Sequence, residues 1–294
     1  MSVSTFVLGG KRARYGAAAA ATLALLVAIP GSAQAATAVG LGTASSFVVL
    51  AGTGVTNTGA TTLNGDIGTF PTTTITDLGT ITINGTNHAG DGVTQGAKSD
   101  LVTAYDSAAG QGPTNPIAAA LDGQTLVPGV YNSASQILLN GGAVTLDAGG
   151  DAAAVWVFQA GSDLIVGNGS VVSLTNGAQA CNVFWQVGSS ASLGTGVAFR
   201  GTIMALTSIT LATAATLEGR ALARNGTVTL DTNTITTPTC AAPQVAAPRG
   251  PVSTGDGSTS GAVSNVAYVV AGALAVAGFG GAAVLAVRRR RQDA

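Results

Sequence analysis

The chain has 294 residues, of which 9% are charged and 4% aromatic, with 42 glycines and a formal net charge of −1. It is too apolar to be a disordered chain, and its glycines lack the strict period of collagen. Seven of the 12 basic residues lie at the two ends, which leaves 5 basic against 12 acidic residues between them, a balance of −7 that argues against nucleic acid or anionic lipid as partner.

Lys11, Arg12 and Arg14 precede an apolar run from Ala17 to Ile29, and Ala33-Gln34-Ala35 follows. A basic start, a short apolar core and a small-x-small site predict a secretory signal peptide over residues 1–35. From residue 36 to 90, short segments such as Phe47-Val48-Val49-Leu50 and Ile81-Thr82-Ile83 alternate with Gly and Asn, which reads as strands and tight turns. Val93, Ala97, Leu101, Ala104, Tyr105 and Ala108 then recur at spacings of 3 and 4, with Asp91 placed as N-cap and Gly110 as stop. This predicts one amphipathic helix over Val93 to Ala109, laid along a β-core, and a shorter helical turn at Ile117 to Leu121. β patterning resumes from Thr125 to Ile235.

Within that stretch, Ala191, Ile209 and Val228 form one repeating column and Leu193, Leu211 and Leu230 another. Thr195, Thr213 and Thr232 form a third two residues on, and Phe199 and Leu217 a later one. A period this short marks a β-solenoid in which each repeat is one coil, and coils must stack because none buries its face alone. Val157 to Gly167 resembles Phe184 to Gly194 at a longer spacing, which predicts an irregular solenoid with a protruding loop near Ser170 to Ala178. Cys181 and Cys240, the only cysteines, read as a disulfide in an oxidising compartment.

The solenoid domain is bounded at residues 36–240, and residues 241–262 have a Pro/Gly/Ser linker composition. Residues 263–287 are apolar enough to span a bilayer as a transmembrane helix. Arg288–Arg291 in the tail, residues 288–294, fix that end in the cytoplasm. The expectation is a single-pass cell-membrane protein with its domain outside.

Nothing in the chain resembles a catalytic constellation. His88 is the single histidine, and no nucleophile elbow, phosphate loop or zinc spacing is present. Asp147 and Asp151 near Gly149-Gly150 lack the nine-residue repeat of calcium-binding solenoids. No cofactor, metal or small-molecule substrate is expected. The threonines carry the remaining signal: Thr53-Gly54-Val55-Thr56, Thr58-Gly59-Ala60-Thr61 and Thr213-Ala214-Ala215-Thr216, with the partial match Thr195-Gly196-Val197-Ala198. A Thr ladder would present methyls and hydroxyls about 4.8 Å apart between coils and about 6.7 Å apart along one face, close to the oxygen repeats of ice. The stiff χ1 of Thr would hold that lattice in place.

Residues 40 to 240 resemble the DUF3494-type microbial ice-binding proteins. The resemblance rests on Leu41-Gly42-Thr43-Ala44-Ser45-Ser46-Phe47-Val48-Val49-Leu50, Gly65-Asp66-Ile67-Gly68 and His88-Ala89-Gly90-Asp91. It continues through Pro128-Gly129-Val130-Tyr131, Ala180-Cys181-Asn182-Val183-Phe184-Trp185-Gln186-Val187-Gly188 and Gly219-Arg220-Ala221-Leu222-Ala223. It implies a discontinuous right-handed β-helix of triangular section, all β except for one long flanking helix, whose flat face binds ice. Some members share a Thr-Ala/Gly-x-Thr/Asn motif on that face. The candidate contact residues are therefore Thr195, Thr213 and Thr232 as a ladder, then Thr216, Thr53, Thr56, Thr58 and Thr61. The expected function is non-enzymatic adsorption to an ice crystal surface, with a surface adhesin or structural module on the same fold as the alternative.

Overall fold

The computed structural model describes residues 36–241. The expected signal peptide, membrane span and cytoplasmic tail lie outside the described residues, as does the linker beyond Ala241. Among the described residues, no helix is long and apolar enough to cross a membrane.

The chain winds as a three-faced solenoid in which the paired strands are all parallel. Alternation drives this geometry: in Ile209–Leu211 the outer residues are buried and Thr210 between them is exposed, and the same holds for Ala191–Leu193 and Leu164–Val166. The first face runs through Phe47–Ala51, Gly129–Ser133, Trp156–Ala160 and Val183–Val187. The second contains Gly54–Thr58, Thr227–Asp231, Ile209–Leu211, Ala191–Leu193, Leu164–Val166 and Ile137–Leu139, in that spatial order. The third carries Ile81–Ile83, Thr61–Asn64, Thr234–Thr236, Val171–Thr175 and Ala143–Asp147. The long strands Ala198–Ala205 and Thr216–Ala223 turn the corner from third face to first at Gly201 and Gly219. A Cβ on Gly219 would lie 1.9 Å from the carbonyl oxygen of Gly201, so this stacked corner admits only glycine.

The stacking order is not the chain order. Val49 pairs with Ala221, and Thr56 with Thr229, so the first coil in sequence packs on the last. The helix Gly92–Ala109 makes this possible by carrying the chain back along the first face. Its 18 residues span about 27 Å, or between five and six coil spacings of ~4.8 Å.

The helix buries Thr94, Ala97, Leu101, Ala104, Tyr105 and Ala108, and its apolar side packs against Leu50, Val130, Val157, Phe184, Met204 and Leu222. Val93, expected on this side, is 47% exposed, and Thr94 stands in its place. Asp91 caps the helix by accepting from the Thr94 N–H at 2.9 Å. That bond and its contact with His88 hold the Asp91 carboxyl below the usual carboxylate range. His88 itself lies between Asp91 and Asp66, at 2.9 Å and 3.7 Å, which is a structural role. Lys98 donates to the carbonyls of Ala223 and Arg224 at 2.6 Å, and burial pulls its ammonium down to about 8.

Inside the coils the rings of Phe158 and Trp185 stack at 3.9 Å, with Tyr131 and Phe199 continuing the column at 5.5 Å and 5.0 Å. The Trp185 indole N–H is satisfied by the Arg200 carbonyl at 3.0 Å.

Two further local expectations fail. Residues 117–121 form no helical turn. Ile117 and Leu121 donate to the carbonyls of Asn132 and Leu138, so this segment covers the end of the stack as extended chain. The extra residues of the long coils do not form a loop from Ser170 to Ala178 either. Val171–Thr175 is a full third-face strand in register with Ala143–Asp147, and the excursion falls on residues 176–182. The disulfide does form: Cys181 and Cys240 are bonded, with Cα atoms 5.7 Å apart.

Candidate functional site: the second face

The helix covers the first face, leaving the second and third open. On the second face the middle residue of each strand points outward. Leu138, Ile165, Ser192, Thr210, Thr229 and Thr56 form an unbroken line through paired registers. This central row has no charge. It is apolar at one end and hydroxyl-bearing at the other.

Two further rows flank it. At the leading corner Thr53 N–H donates to Gly226 O, Gly226 to Thr207 O, Thr207 to Ser189 O, Ser189 to Ser162 O, and Ser162 to Ser135 O. Five of these six stacked positions carry a hydroxyl. Just inside this row, side chains stitch each coil to the next: Asp163 accepts from Ser190 N–H at 3.0 Å, Ser190 from Ser208 N–H at 3.3 Å, and Ser208 from Thr227 N–H at 3.2 Å. These bonds hold the corner rigid without occupying the outward plane.

At the trailing corner Gly169 N–H donates to Thr195 O, Gly196 to Thr213 O, Ala214 to Asp231 O, and Thr232 to Thr58 O. The stacked row is therefore Thr195, Thr213, Asp231 and Thr58. Thr232 is one position out of the expected ladder. It occupies the left-handed column with Gly196, Ala214 and Gly59, at φ 53. The last coil has gained a residue at the leading corner, between Ala223 and Val228, and lost one at the trailing corner, between Leu230 and Thr234. Counting by period alone therefore slips by one.

The other expected residues separate. Thr53 and Thr56 lie on the leading and central rows of the second face. Thr216 lies on the third face, in line with Thr234, Thr62 and Thr82. Thr61 is 1% exposed and accepts from Asn233 N–H at 3.1 Å, so it is an interior bracket and its neighbour Thr62 faces outward. Of the motif copies, Thr53-Gly54-Val55-Thr56 opens the second face, whereas Thr213-Ala214-Ala215-Thr216 leaves it, so the two are not equivalent. The true counterparts of the first are Thr207-Ser208-Ile209-Thr210 and Ser189-Ser190-Ala191-Ser192. Thr210, Thr229 and Ser192 were legible as the outward residues between inward Ile209 and Leu211, Val228 and Leu230, and Ala191 and Leu193.

The third face is chemically different. Beside its Thr row runs a row in which Arg200 pairs with Glu218 at 2.8 Å. That row continues as Thr236, Asn64 and Asn84, with Asn64 Nδ2 on Thr236 Oγ1 at 3.0 Å and Asn84 Nδ2 on Asn64 Oδ1 at 2.7 Å. Ala198, Arg200, Thr216, Glu218, Thr234 and Thr236 surround a shallow depression there. Asp147 and Asp151 accept from the Gly149 and Ala153 N–H groups at 2.8 Å, as turn residues.

Residues 49–236 match the family model described as ice-binding-like. The chain is 45% identical over 195 residues to an ice-binding protein of Nostoc sp. (strain HG1), covering 66% of this chain and 72% of that protein. The crystal structure of an ice binding protein from an Antarctic biological consortium superposes with a TM-score of 0.68 at 46% identity, over 72% of this chain and 96% of the other. That of an ice-binding protein from the Antarctic ascomycete Antarctomyces psychrotrophicus gives 0.66 at 43% identity, over 69% and 100%. The solenoid, its single flanking helix and these matches place the chain in the ice-binding-like family.

Proposed function

We propose that this protein adsorbs to ice through its second face, acting by adsorption and not by turnover. The observation that carries this reading is the register of three rows across successive coils, with an uncharged central row from Leu138 to Thr56. Ice presents a flat, repeating array of oxygens. A surface matches it only if its groups repeat at fixed spacing and do not fluctuate. Parallel stacking sets one spacing at about 4.8 Å. Threonine supplies a methyl that sheds loosely held water and a hydroxyl that continues the hydrogen-bond lattice, both on a stiff χ1. Each contact is weak, so adsorption needs many in register at once. The bound protein then pins the growth front, and the ice between bound molecules must grow as a curved, less stable surface.

The position of the domain in the cell is part of the same proposal. A signal peptide over residues 1–35, the apolar run 263–287 and Arg288–Arg291 support an exterior domain held by a single C-terminal span. Such a protein would restrain ice growth beside the cell or hold the cell to ice. The test is partitioning of the protein into a slowly growing ice hemisphere. Incorporation of the wild type and exclusion of Thr210→Tyr is the expected result. Exclusion of both would move the protein to the adhesin or structural reading.

A further inference from the structure

The C-terminal end of the domain is fastened away from its own coil. The strand Thr234–Thr236 is an interior strand of the third face, between Thr216–Glu218 and Thr62–Asn64. Thr237 continues this pairing, with its N–H and hydroxyl both on the Asn64 carbonyl. The next residues then leave their own coil. They pass the Glu218 and Arg200 levels and reach Cys181, three coil steps or about 14 Å away.

Cys181 lies between Val171–Thr175 of the third face and Val183–Val187 of the first, at the corner opposite the second face. The landing point is reinforced. Gln179 accepts from the Ala241 N–H and donates to the Ala241 carbonyl at 3.2 Å and to the Ala152 carbonyl at 2.7 Å. Asn182 also donates to Ala152 O, at 3.3 Å.

We propose that the Cys181–Cys240 disulfide is a load-transfer clamp, which admits tension from the C-terminal attachment at the middle of the stack, opposite the ice-contacting face. The proposal rests on the reading of the second face and of the C-terminal anchor. Without the bond, tension arriving past Ala241 would first break its hydrogen bonds to Gln179, then pull on Thr237 and draw Thr234–Thr236 out of the third face, one pair at a time. The coil bearing Thr229 would open next, and the coil of Thr53 and Thr56 stacked on it would lose its support. With the bond, tension between the C-terminus and any residue before Cys181 runs across the sulfurs. The residues between the two cysteines, which include Ser192, Thr195, Thr210, Thr213 and Thr229, then stand outside the covalent path. Load entering on those residues divides between both ends of the closed loop.

Single-molecule pulling on the full chain in detergent tests this without ice or membrane. One geometry pulls between Asn140, replaced by an azide-bearing amino acid, and Ala294. A second pulls between Thr53 and Asp77, which lie in neighbouring coils at one end of the stack, so that neither the covalent path nor the stacked coils between them include the closed loop. Forced unfolding is governed by the unfolding barrier, so reduction should lower the first-rupture force about twofold in the first geometry and change it little in the second. It should also add an early short step in the first geometry only. Equal losses in both geometries would show a general stabiliser, and no loss in either would show that the bond bears no load. Either result overturns the clamp. Cys181→Ser/Cys240→Ser serves as the check on reduction, and its main unfolding step reports that it has folded. Ice partitioning of the same variant reads the second face separately.

Discussion

Arg200 Nε lies 2.8 Å from Glu218 Oε2 in the middle of the third face, and this ion pair distinguishes the two open faces. The central row of the second face and the Thr row of the third each carry four stacked Ser/Thr positions. On the third they run beside a charged pair and a shallow depression, whereas the rows of the second hold one charged residue, Asp231 at the trailing corner, whose carboxylate accepts from the Thr213 hydroxyl. Long, hydrated charged side chains keep their own water and break the plane.

The two faces therefore respond differently to the same substitution. Thr210→Tyr places a ring in the centre of the second face, and ice-shaping activity should fall to a small fraction of wild type. Thr234→Tyr on the third face should leave it nearly intact. Both are exposed sites, so stability should change by no more than about 0.5 kcal/mol. Ice hysteresis measured beside thermal melting checks both halves, and the opposite ranking would assign the function to the third face.

Thr61→Val separates fold from function. It removes the oxygen that accepts from Asn233 N–H in a fully buried turn. An unsatisfied buried donor costs about 1–3 kcal/mol. The melting temperature should drop, while activity per folded molecule stays unchanged. A loss of activity at unchanged stability would place Thr61 at the contact surface after all.

Leu101→Asp should cost several kcal/mol, because Leu101 is fully buried between the helix and the first face and the new carboxylate would have no partner there. Denaturant unfolding measures this directly. A wild-type midpoint would mean that the helix contributes little to holding the coils together.

Acid stability follows from the seam between the helix and the N-terminal segment. Asp100 accepts from the Thr43 N–H at 2.7 Å and hydroxyl at 2.6 Å, which holds its carboxyl below the ordinary value of 3.8. Asp91 is lowered in the same direction by Thr94 and His88. The unfolded chain then takes up protons near pH 3.8 that the folded one does not, so stability is present above that pH and is lost as the pH falls below it. Asp100→Asn should lower stability at neutral pH and flatten this acid limb. An unchanged slope between pH 4 and about 2 would assign acid sensitivity to other carboxylates.

The sequence by itself determined the architecture. Inward Ala191, Ile209 and Val228 with Leu193, Leu211 and Leu230 define a coil, because a side chain two residues on returns to the same face. The spacing from Ala97 to Ala108 defines the helix, with Asp91 at its cap, and the single pair Cys181 and Cys240 points to the disulfide. All of these are local or periodic signals. Tertiary structure alone decided which threonines share a plane. The gain of one residue after Ala223 and loss of one after Leu230 leave the inward columns intact, because apolar burial penalises any slip there. Nothing penalises a slip at an exposed corner, so Thr232 moves to the left-handed column and Asp231 takes the place beside Thr213. The pairing of Thr229 with Thr56 joins residues from the two ends of the domain, a contact that exists only because the helix returns the chain along the first face.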